Sequence, residues 1–457
     1  MTLRTDPKRH DEQVAKSSNS TRRSVSAPGL GDPSDEELPG GLAAAVAAVL
    51  GDPPEVGFRA YDGSNHRSDA AAVIVIKSPD AFSRILSAPG QLGAARAYVA
   101  GDLDVEGDLL TLLQRRHALS LRLDPLAIWR LVRIARRTGV RLRYLKTPPQ
   151  EVRLRGRRHS KRRDAEAIRH HYEVGNDFYR LMLGPTMTYS CAVWSDPGLV
   201  TPRGLDAAQR AKHDLVCQKL GVRPGMRLLD VGCGWGELAI HAARQYGAQV
   251  VGVTISEAQV ERARARVREA GVANLVEIRC QDYRELRDGP FDAISSIGMF
   301  EHVGQRQLRR YFGTLFRLLR PGGRLLNHGI ARPPGSAAPI DPNGFIGRYI
   351  FPDGELVEVG EVISTMQRTG FEVRDLENLR EHYALTLRAW LANLESHWDE
   401  AVEIVGLARA RTWRLYLAAC TAGFDEGLTQ VHQVLAVKLD DGISGVPLRP
   451  CWRGPVR

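Results

Sequence analysis

The stretch from Arg227 to Gly247, RLLDVGCGWGELAIHAARQYG, decides the predicted fold of this chain. A short apolar run ending at Val231 meets a glycine-rich loop, Gly232 to Gly236, and then a segment with apolar residues at helical spacing. This pattern predicts a strand, a tight turn and a helix start, which together offer backbone N–H groups to a ligand. The Gly-x-Gly-x-Gly spacing differs from the dinucleotide and phosphate-loop motifs, and no lysine follows it, so a triphosphate ligand is not predicted.

The continuation of the chain predicts a doubly wound, mostly parallel sheet. Apolar runs recur at 249–253, 276–279, 291–297 and 324–330, and each is followed by a polar turn. In sheets of this kind, ligands bind at the carboxyl ends of the strands. The predicted fold class is therefore α/β with a Rossmann-like sheet, preceded by a small N-terminal α+β domain.

Composition divides the 457 residues into further segments, enough for two or three domains. Residues 1–38 are rich in Ser, Pro, Arg and Asp, which predicts a disordered tail. The other predicted segments are the small domain at 41–125, a basic connector at 126–164, the domain of the doubly wound sheet at 165–440 and a C-terminal tail at 441–457.

The net charge of +10 comes from one patch. From Arg130 to Arg163 the chain has 14 Lys and Arg residues and one acid. A helix predicted over 128–137 has an apolar and a cationic side, which suits an anionic membrane surface. A nucleic-acid partner is one alternative, and a solvated linker without a partner is another. Trp129 and Tyr144 are the only aromatic residues in the patch, which is too few to stack bases. We therefore predict a membrane-surface partner and no nucleic acid.

The cysteines and the apolar stretches argue against a metal-binding, disulfide-rich or membrane-spanning protein. The six cysteines form no CxxC pair and no Cys/His ligand spacing, so neither a metal site nor a disulfide framework is predicted. The N-terminus lacks the apolar core of a signal peptide, and the apolar stretch 41–50 is far shorter than the ~20 residues of a membrane span. The expected location is the cytoplasm, peripherally at the inner face of the membrane.

Several motifs in order resemble one family. HHYEVGNDFYRLMLGPTMTYSCAVW (from His170), MFEHVG (from Met299) and YLAAC (from Tyr416) are similar to cyclopropane-fatty-acyl-phospholipid synthases and mycolic acid methyltransferases. These are class I S-adenosylmethionine (SAM)-dependent methyltransferases. The resemblance covers residues 165–440 and implies transfer of a methylene group from SAM to the cis double bond of a phospholipid acyl chain, giving a cyclopropane. Open alternatives are a methylene- or methyl-branched product, a nucleic-acid methyltransferase and a non-catalytic lipid-surface protein; a homodimer is also open.

The resemblance implies a SAM-binding set drawn from several loops. The glycines would admit the methionine portion, Thr254 and Gln259 would flank the ribose, and Gln281 with Asp282 would bracket the adenine. Many class I enzymes bind the ribose hydroxyls with an Asp or Glu at the end of the second strand. This chain has no acidic residue there, so Gln259 would have to bind the ribose hydroxyls instead. The complete set is Tyr189, Ser190, Asp230, Gly232, Gly234, Trp235, Gly236, Thr254, Gln259, Gln281 and Asp282.

The resemblance also implies a base. Methylation of an alkene leaves a carbocation, which must lose a proton inside a dry, aromatic-walled cavity before water captures it. In the resembled synthases this base is a bound bicarbonate. By that resemblance Glu301 accepts a hydrogen bond from the ion, and His328 and Tyr383 donate to it. The implied bicarbonate set is Cys191, Glu301, His328, Tyr383 and the backbone at Ile330; Cys420 matches a further active-site cysteine, although no step needs its thiolate.

Two further segments are expected to border the acyl chain. The Gly- and Pro-rich stretch 333–352 predicts a substrate-gating insertion. Apolar residues recur at helical spacing over 383–398 and are predicted to be mostly core. Met366, Trp413 and Tyr416 are expected on the same acyl-lined side.

Overall fold

The computed structural model describes residues 41–120, 124–152, 154, 158–172, 174–336 and 340–452. The predicted disordered tail, 1–38, lies outside these residues. The helices are α1 (Gly41–Val49), α2 (Asp80–Ser87), α3 (Gln91–Ala100), α4 (Leu109–Gln114), α5 (Pro125–Arg137), α6 (Lys161–Tyr172), α7 (Asn176–Leu183), α8 (Pro202–Leu220), α9 (Glu237–Tyr246), α10 (Glu257–Glu269), α11 (Leu308–Leu318), α12 (Phe345–Tyr349), α13 (Val359–Arg368), α14 (Arg380–Ser396), α15 (Trp398–Val405) and α16 (Leu407–Asp425). The strands are β1 (Val56–Ala60), β2 (Asn65–His66), β3 (Ala72–Ile76), β4 (Leu103–Gly107), β5 (Arg227–Val231), β6 (Gln249–Thr254), β7 (Val276–Cys280), β8 (Phe291–Ile297), β9 (Leu319–Arg332), β10 (Val357–Glu358), β11 (Glu372–Asn378) and β12 (Gln430–Val437).

The main sheet of the described chain has eight strands, with the path β11-β12-β9-β8-β5-β6-β7 and β10 beside β9. The five strands predicted from the apolar runs, β5 to β9, pair in parallel. Helices cover both faces of the sheet, with α8, α9 and α10 in one apolar core and α11 and α13 in the other. The predicted α/β class with a doubly wound, mostly parallel sheet is confirmed.

The structure adds three strands to this sheet that the sequence pattern does not predict: the short β10, which pairs in parallel with β9, and two longer strands at the other side of β9. β12 pairs antiparallel with β9, and β11 pairs antiparallel with β12 at the sheet edge. β9 itself begins at Leu319 and ends at Arg332, which is longer than the predicted 324–330. Edge strands that follow a long helical segment form because a neighbouring strand is available for pairing. Local periodicity therefore does not predict them.

A smaller four-stranded sheet lies near the N-terminus, in the order β2-β1-β3-β4. β1 and β3 correspond to the predicted strand pair and run parallel to each other. On α16, Arg411 donates to the backbone oxygens of Tyr98 at 2.8 Å and Leu103 at 2.7 Å. This guanidinium joins the small sheet to the helix that also carries Tyr416. The domain boundaries given above stay predictions.

Helix α5 uses only part of its apolar side for packing. Its buried residues are Ala127, Ile134 and Ala135, on the side that packs against α1. Ile128 and Val132, at the edge of that side, and Leu126 and Trp129, among the arginines, are exposed. The outward face of α5 therefore mixes large apolar groups with cations. None of the helices in the described part of the chain has the length and apolar content needed to cross a membrane.

Candidate active site

The glycine loop joins β5 to α9 in a conformation that other residues rarely adopt. Gly232, Gly234 and Gly236 have φ angles of +79°, +53° and +81°. A Cβ built on Gly234 meets no atom within 4 Å and would project into open space. The loop therefore leaves room beside its backbone near the first turn of α9, where N–H groups have no intrahelical partner.

This open space is the first of two adjoining cavities, and we name it the glycine-loop cavity. Its empty volume is about 800 Å³, with the solvent-facing mouth included. The sheet assembles its wall because β5 and β6 are parallel neighbours whose carboxyl ends share one edge. The residues of the predicted SAM set that line it are Tyr189, Ser190, Asp230, Gly232, Gly234, Trp235, Thr254 and Gln259.

Three residues of the predicted SAM set do not line the cavity. Gly236 is the N-cap of α9 and packs against α10. Gln281 follows β7 and donates its backbone N–H to Thr254 O at 3.0 Å. The Asp282 carboxylate accepts hydrogen bonds from the backbone N–H of Arg284 at 2.8 Å and from its guanidinium at 2.6 Å. These local hydrogen bonds pair Asp282 with Arg284, and the roles of Gln281 and Asp282 toward the adenine stay predictions.

Two buried groups of opposite charge lie in the wall. Asp230 accepts a hydrogen bond from Ser295 Oγ at 2.7 Å, and burial raises the pKa of this carboxyl to about 6. The Lys212 ammonium donates to Ser190 Oγ at 3.1 Å, and burial lowers its pKa to about 8. The wall can therefore offer one acidic and one basic contact to a ligand.

No sequence motif marks Lys212 as a site residue. It lies on α8, where Gln209, Lys212 and His213 are all buried on a helix that reads as a mixture of polar and apolar residues. Gln209 Nε2 donates to Ser190 O at 2.9 Å, so this polar stripe holds the segment before Cys191. The i, i+3, i+4 spacing of the three polar residues is the signal that could have pointed to a buried polar face.

The turn after β6 fixes the wall opposite the glycine loop. Thr254 Oγ1 donates to Gln259 Oε1 at 2.8 Å. Ser256 caps α10 by accepting from the Gln259 backbone N–H. The cap and the side-chain hydrogen bond together hold the buried Gln259 in place at this wall.

The second cavity is named the Glu301 cavity and has an empty volume of about 630 Å³. It adjoins the glycine-loop cavity, since five residues line both: Tyr172, Tyr189, Ser190, Gly298 and His302. All members of the predicted bicarbonate set line it, namely Cys191, Glu301, His328, Ile330 and Tyr383. The fold thus brings together residues that are up to 192 positions apart in the sequence.

Glu301 is a buried carboxyl with one satisfied oxygen. Its Oε1 accepts the Ile330 N–H at 2.8 Å, whereas its Oε2 has no hydrogen-bond partner within the described residues. Burial raises the pKa of Glu301 to about 7, and the Ile330 N–H opposes that rise. Because the Ile330 N–H is given to Glu301, this amide supports the carboxyl and is not a free donor to a ligand.

His328 is a buried neutral imidazole whose tautomer is set by β12. Burial lowers its pKa to about 3, with Lys212 and Lys219 adding to the effect. Across the β9–β12 pair, Gln433 Nε2 donates to His328 Nδ1 at 3.2 Å. The proton of the neutral ring therefore lies on Nε2, which has no partner among the described residues. Gln433 is a second site residue that no motif marks, because it lies on the unpredicted strand β12.

The remaining polar groups of the Glu301 cavity keep their protons. Burial raises the pKa of the Tyr383 hydroxyl well above its usual range and raises that of the Cys191 thiol as well. Cys420 does not line either cavity, and burial raises the pKa of its thiol to about 12. The structure therefore places Cys420 behind the wall, beside Tyr416, as an un-ionised thiol.

Aromatic rings surround the Glu301 cavity. Tyr189 and Tyr416 join through their hydroxyls at 3.0 Å, and the buried His171 stacks on Phe351 at 4.3 Å between centroids. Phe351 and Ile340 come from the predicted gating stretch. Trp413 packs behind these rings, whereas Met366 lies in the apolar core that contains α11 and α13 and lines neither cavity.

The sheet path, the glycine loop at the carboxyl end of β5 and the cavity beside it define a class I SAM-dependent methyltransferase. Comparison with known proteins takes the identification further. The family described as mycolic acid cyclopropane synthetase matches residues 159–434. The chain belongs to this family of enzymes, which transfer methyl or methylene groups from SAM to fatty acyl chains.

Individual relatives agree with this placement. A probable fatty acid methyltransferase of Mycobacterium tuberculosis is 44% identical over 412 residues, covering 87% of this chain and 94% of that protein. The cyclopropane-fatty-acyl-phospholipid synthase of Escherichia coli is 36% identical over 367 residues, covering 80% and 88%. A crystal structure of a mycolic acid cyclopropane synthase complexed with SAH (S-adenosylhomocysteine) and CTAB has a TM-score of 0.55 at 33% identity, covering 60% of this chain and 98% of that one.

Proposed function

We propose that this enzyme transfers a methylene group from SAM to the cis double bond of a phospholipid acyl chain and forms a cyclopropane. The observation that carries the proposal is the Glu301 cavity, in which Cys191, Glu301, His328 and Tyr383 converge beside the glycine-loop cavity. A polar cluster enclosed by rings and placed next to a donor site suits the removal of one proton from a cation in a dry space.

Bound SAM supplies an electrophilic methyl group on a sulfonium. The chain's own task is mainly to position that group against the acyl chain and to exclude water. Tyr189 and Ser190 line both cavities, so they lie where the donor and the acceptor would meet. The wall at Asp230 and the open space at Gly234 suit the amino-acid portion of the donor.

A bicarbonate in the Glu301 cavity would supply the base. The residues present fit such an ion, which has one O–H donor and several acceptor oxygens. Glu301 Oε2 is a buried acceptor without a partner, and His328 Nε2–H is a buried donor without one within the described chain. Tyr383, protonated in the same wall, adds a donor, whereas the Cys191 thiol donates to the backbone oxygens of Ala192 and Leu379 and borders the ion. These groups would hold the ion and set the direction in which it takes up the proton.

The ring-lined wall would protect the substrate cation. Tyr172, Tyr189, Phe351 and Tyr416 line the Glu301 cavity together with Ile340, Leu356 and Val431. Aromatic faces stabilise a nearby positive charge without offering a nucleophile that could capture it. An acyl chain fits this mostly apolar space better than a polar acceptor does.

The phospholipid would be reached from a membrane surface through α5. Exposed Trp129 and Val132 on its outward face can enter the headgroup region, while neighbouring arginines attract anionic lipids. The cation of Arg133 lies 5.2 Å from the Trp129 ring centre, which holds the two groups together. Cytoplasmic location and pairing into a homodimer stay predictions.

A methylene- or methyl-branched product is the second candidate. The relative that is 44% identical is described as a probable fatty acid methyltransferase, not as a cyclopropane synthase. The same substrate cation would give either product, depending on which proton leaves. Because the family acts on fatty acyl chains, the alternative of a nucleic-acid methyltransferase is set aside.

Methyl-labelled SAM incubated with the enzyme and vesicles of cis-unsaturated phospholipid, followed by mass spectrometry of the acyl chains, tests the proposal. A cyclopropane-bearing chain is expected. An exocyclic methylene or methyl branch would replace the ring assignment with the second candidate. Labelled free fatty acid without labelled phospholipid would refute the phospholipid substrate, and no labelled lipid of any kind would refute the substrate class.

A further inference from the structure

Lys212 is a buried cation in the wall of the glycine-loop cavity that lacks an acidic partner. It is 1% exposed, and its Nζ donates to Ser190 Oγ at 3.1 Å. Among the residues that the structure describes, no carboxylate oxygen lies within 4 Å of this Nζ. Burial of an ammonium without a counter-charge is unfavourable, so a ligand that supplies the counter-charge would be bound strongly here.

A second lysine on the same helix shows what a purely structural role looks like. Lys219 is also fully buried, but its Nζ is ion-paired with Asp375 at 3.0 Å and with Glu377 at 2.5 Å. It lines neither cavity. Of these two buried lysines, therefore, the one without an acid is the one that faces the glycine-loop cavity.

Asp230 and Glu237 line the same wall and attract the Lys212 ammonium, but neither lies within 4 Å of it, and Glu237 is already paired with Arg266. Asp230, at the end of β5, is 3% exposed and has Ser295 as its hydrogen-bond donor, with no cation within 4 Å in the described chain. A site with one unpaired cation and one unpaired anion fits a zwitterion better than it fits a singly charged ligand. The amino-acid end of SAM carries one carboxylate and one ammonium.

We propose that Lys212 binds the α-carboxylate of the methionine portion of SAM, while Asp230 faces the α-ammonium group. The inference rests on the use of SAM described under the proposed function. The Ser190 hydroxyl, held by Lys212, would share the same carboxylate. A charge-assisted contact of this kind in a buried wall contributes strongly to affinity and fixes the orientation of the ligand.

Calorimetric titration with SAM and with decarboxylated SAM, which lacks only the carboxylate, tests the assignment. The unmodified enzyme should bind SAM roughly tenfold or more tightly than decarboxylated SAM, as expected for one charge-assisted contact. Lys212→Met keeps the side-chain length but removes the charge, so it should bind the two ligands about equally. Lys212→Arg keeps the charge and should retain most of the preference.

Lys219→Met is the matched control because it removes a buried lysine from the same helix. It should lower the melting temperature, since Asp375 and Glu377 lose their cation, yet retain the preference for SAM. A preference lost in both variants would show that the effect is structural and would overturn the assignment.

The remaining outcomes separate this inference from the proposed function. Equal affinity of the unmodified enzyme for both ligands, or an unchanged preference in Lys212→Met, would overturn the role of Lys212 and leave SAM as the donor. Binding of neither ligand to the unmodified enzyme would refute the donor itself. If Lys212→Met does not fold, Lys212→Gln, which also removes the charge, takes its place, and an unchanged preference in that variant would equally overturn the role of Lys212.

Discussion

The two cavities of this enzyme adjoin each other but are built in different ways. The glycine-loop cavity takes nine of its twenty lining residues from the short stretch between Asp230 and Gln259, and it carries unpaired charges. The Glu301 cavity draws on segments spread from Tyr172 to Val431, and it is mostly apolar, with polar atoms that lack partners. Binding of the donor and handling of the proton are therefore separable, and substitutions in one cavity should spare the other.

Glu301→Gln is expected to have the largest effect on turnover. The amide keeps the size of the side chain but cannot accept as a carboxylate does, so the rate should fall by about 100-fold or more. The affinity for S-adenosylhomocysteine should stay within about threefold, because Glu301 lines only the Glu301 cavity. Acyl-product formation and calorimetry measure the two quantities.

Glu361→Gln provides the control, because Glu361 lies on α13 and lines neither cavity. It should change neither quantity. If Glu301→Gln abolished binding of S-adenosylhomocysteine, the separation between the two cavities would be refuted.

Gly234→Val should affect the glycine-loop cavity and leave the Glu301 cavity intact. Its φ is +53°, and the added side chain would enter the glycine-loop cavity. We expect the affinity for S-adenosylhomocysteine to fall by about 100-fold, since ligand and side chain would compete for the same space. Gly271→Val is the matched control, because Gly271, in the loop after α10, has φ +71° and open space around it but lines neither cavity.

Both valine variants should lose stability to a similar extent, by about 1–3 kcal/mol, from backbone strain alone. Only Gly234→Val should lose the ligand. Equal loss of ligand in both variants, measured by the same titration, would show that strain and not the cavity explains the effect.

The pH dependence of turnover should report Glu301. Burial raises its folded-state pKa to about 7, so its carboxylate form is present above that pH and its protonated form below it. Turnover should therefore rise with pH up to about 7 and fall about tenfold per unit below it. Rates from pH 5.5 to 8.5 at saturating SAM would show this limb, and Glu301→Gln should lack it. The same limb in the variant would assign it to another group.

Gln433→Leu should have a smaller effect, because Gln433 acts through His328. Without its amide, His328 Nδ1 loses its donor, and the proton can occupy either ring nitrogen. We expect kcat to fall by about five- to tenfold with KM nearly unchanged. Nitrogen chemical shifts of the His328 ring should show mixed tautomers, a change that a purely structural role of Gln433 would not produce. Gln433→Glu, which cannot donate when ionised, should not restore kcat.

The two cavities also differ in how well they can be predicted from the sequence. The strand-to-helix turn at Gly232–Gly236 is a local pattern, so its fold and its cavity can be derived from a few adjacent residues. Lys212 and Gln433 carry no such pattern, because only tertiary packing buries the polar face of α8 and adds β12 beside β9. Asp282 lies at a strand end as predicted, and its carboxylate accepts from Arg284, so its role toward the adenine stays a prediction.

The Glu301 cavity could be predicted only through the resemblance to a family. Cys191, Glu301, His328 and Tyr383 are separated by more than a hundred residues in places, and no periodicity relates them. The orphan oxygen of Glu301 and the Nε2 proton of His328 depend on hydrogen bonds from Ile330 and Gln433, which a sequence does not contain. The family motifs therefore predict which residues form this cavity, whereas the protonation and hydrogen bonding of these residues can be read only from the structure.

The smallest effect is expected outside both cavities, at the outward face of α5. Trp129→Ser combined with Val132→Ser removes exposed apolar area without touching either cavity. Binding of S-adenosylhomocysteine and turnover of a substrate dissolved in detergent should not change, whereas KM for anionic phospholipid vesicles should rise by about three- to tenfold. Leu199→Ser, at a similarly exposed apolar residue in the loop before α8, controls for general loss of surface hydrophobicity. An equal rise of KM in that control, or none in the α5 variant, would mean that the membrane is reached by another surface.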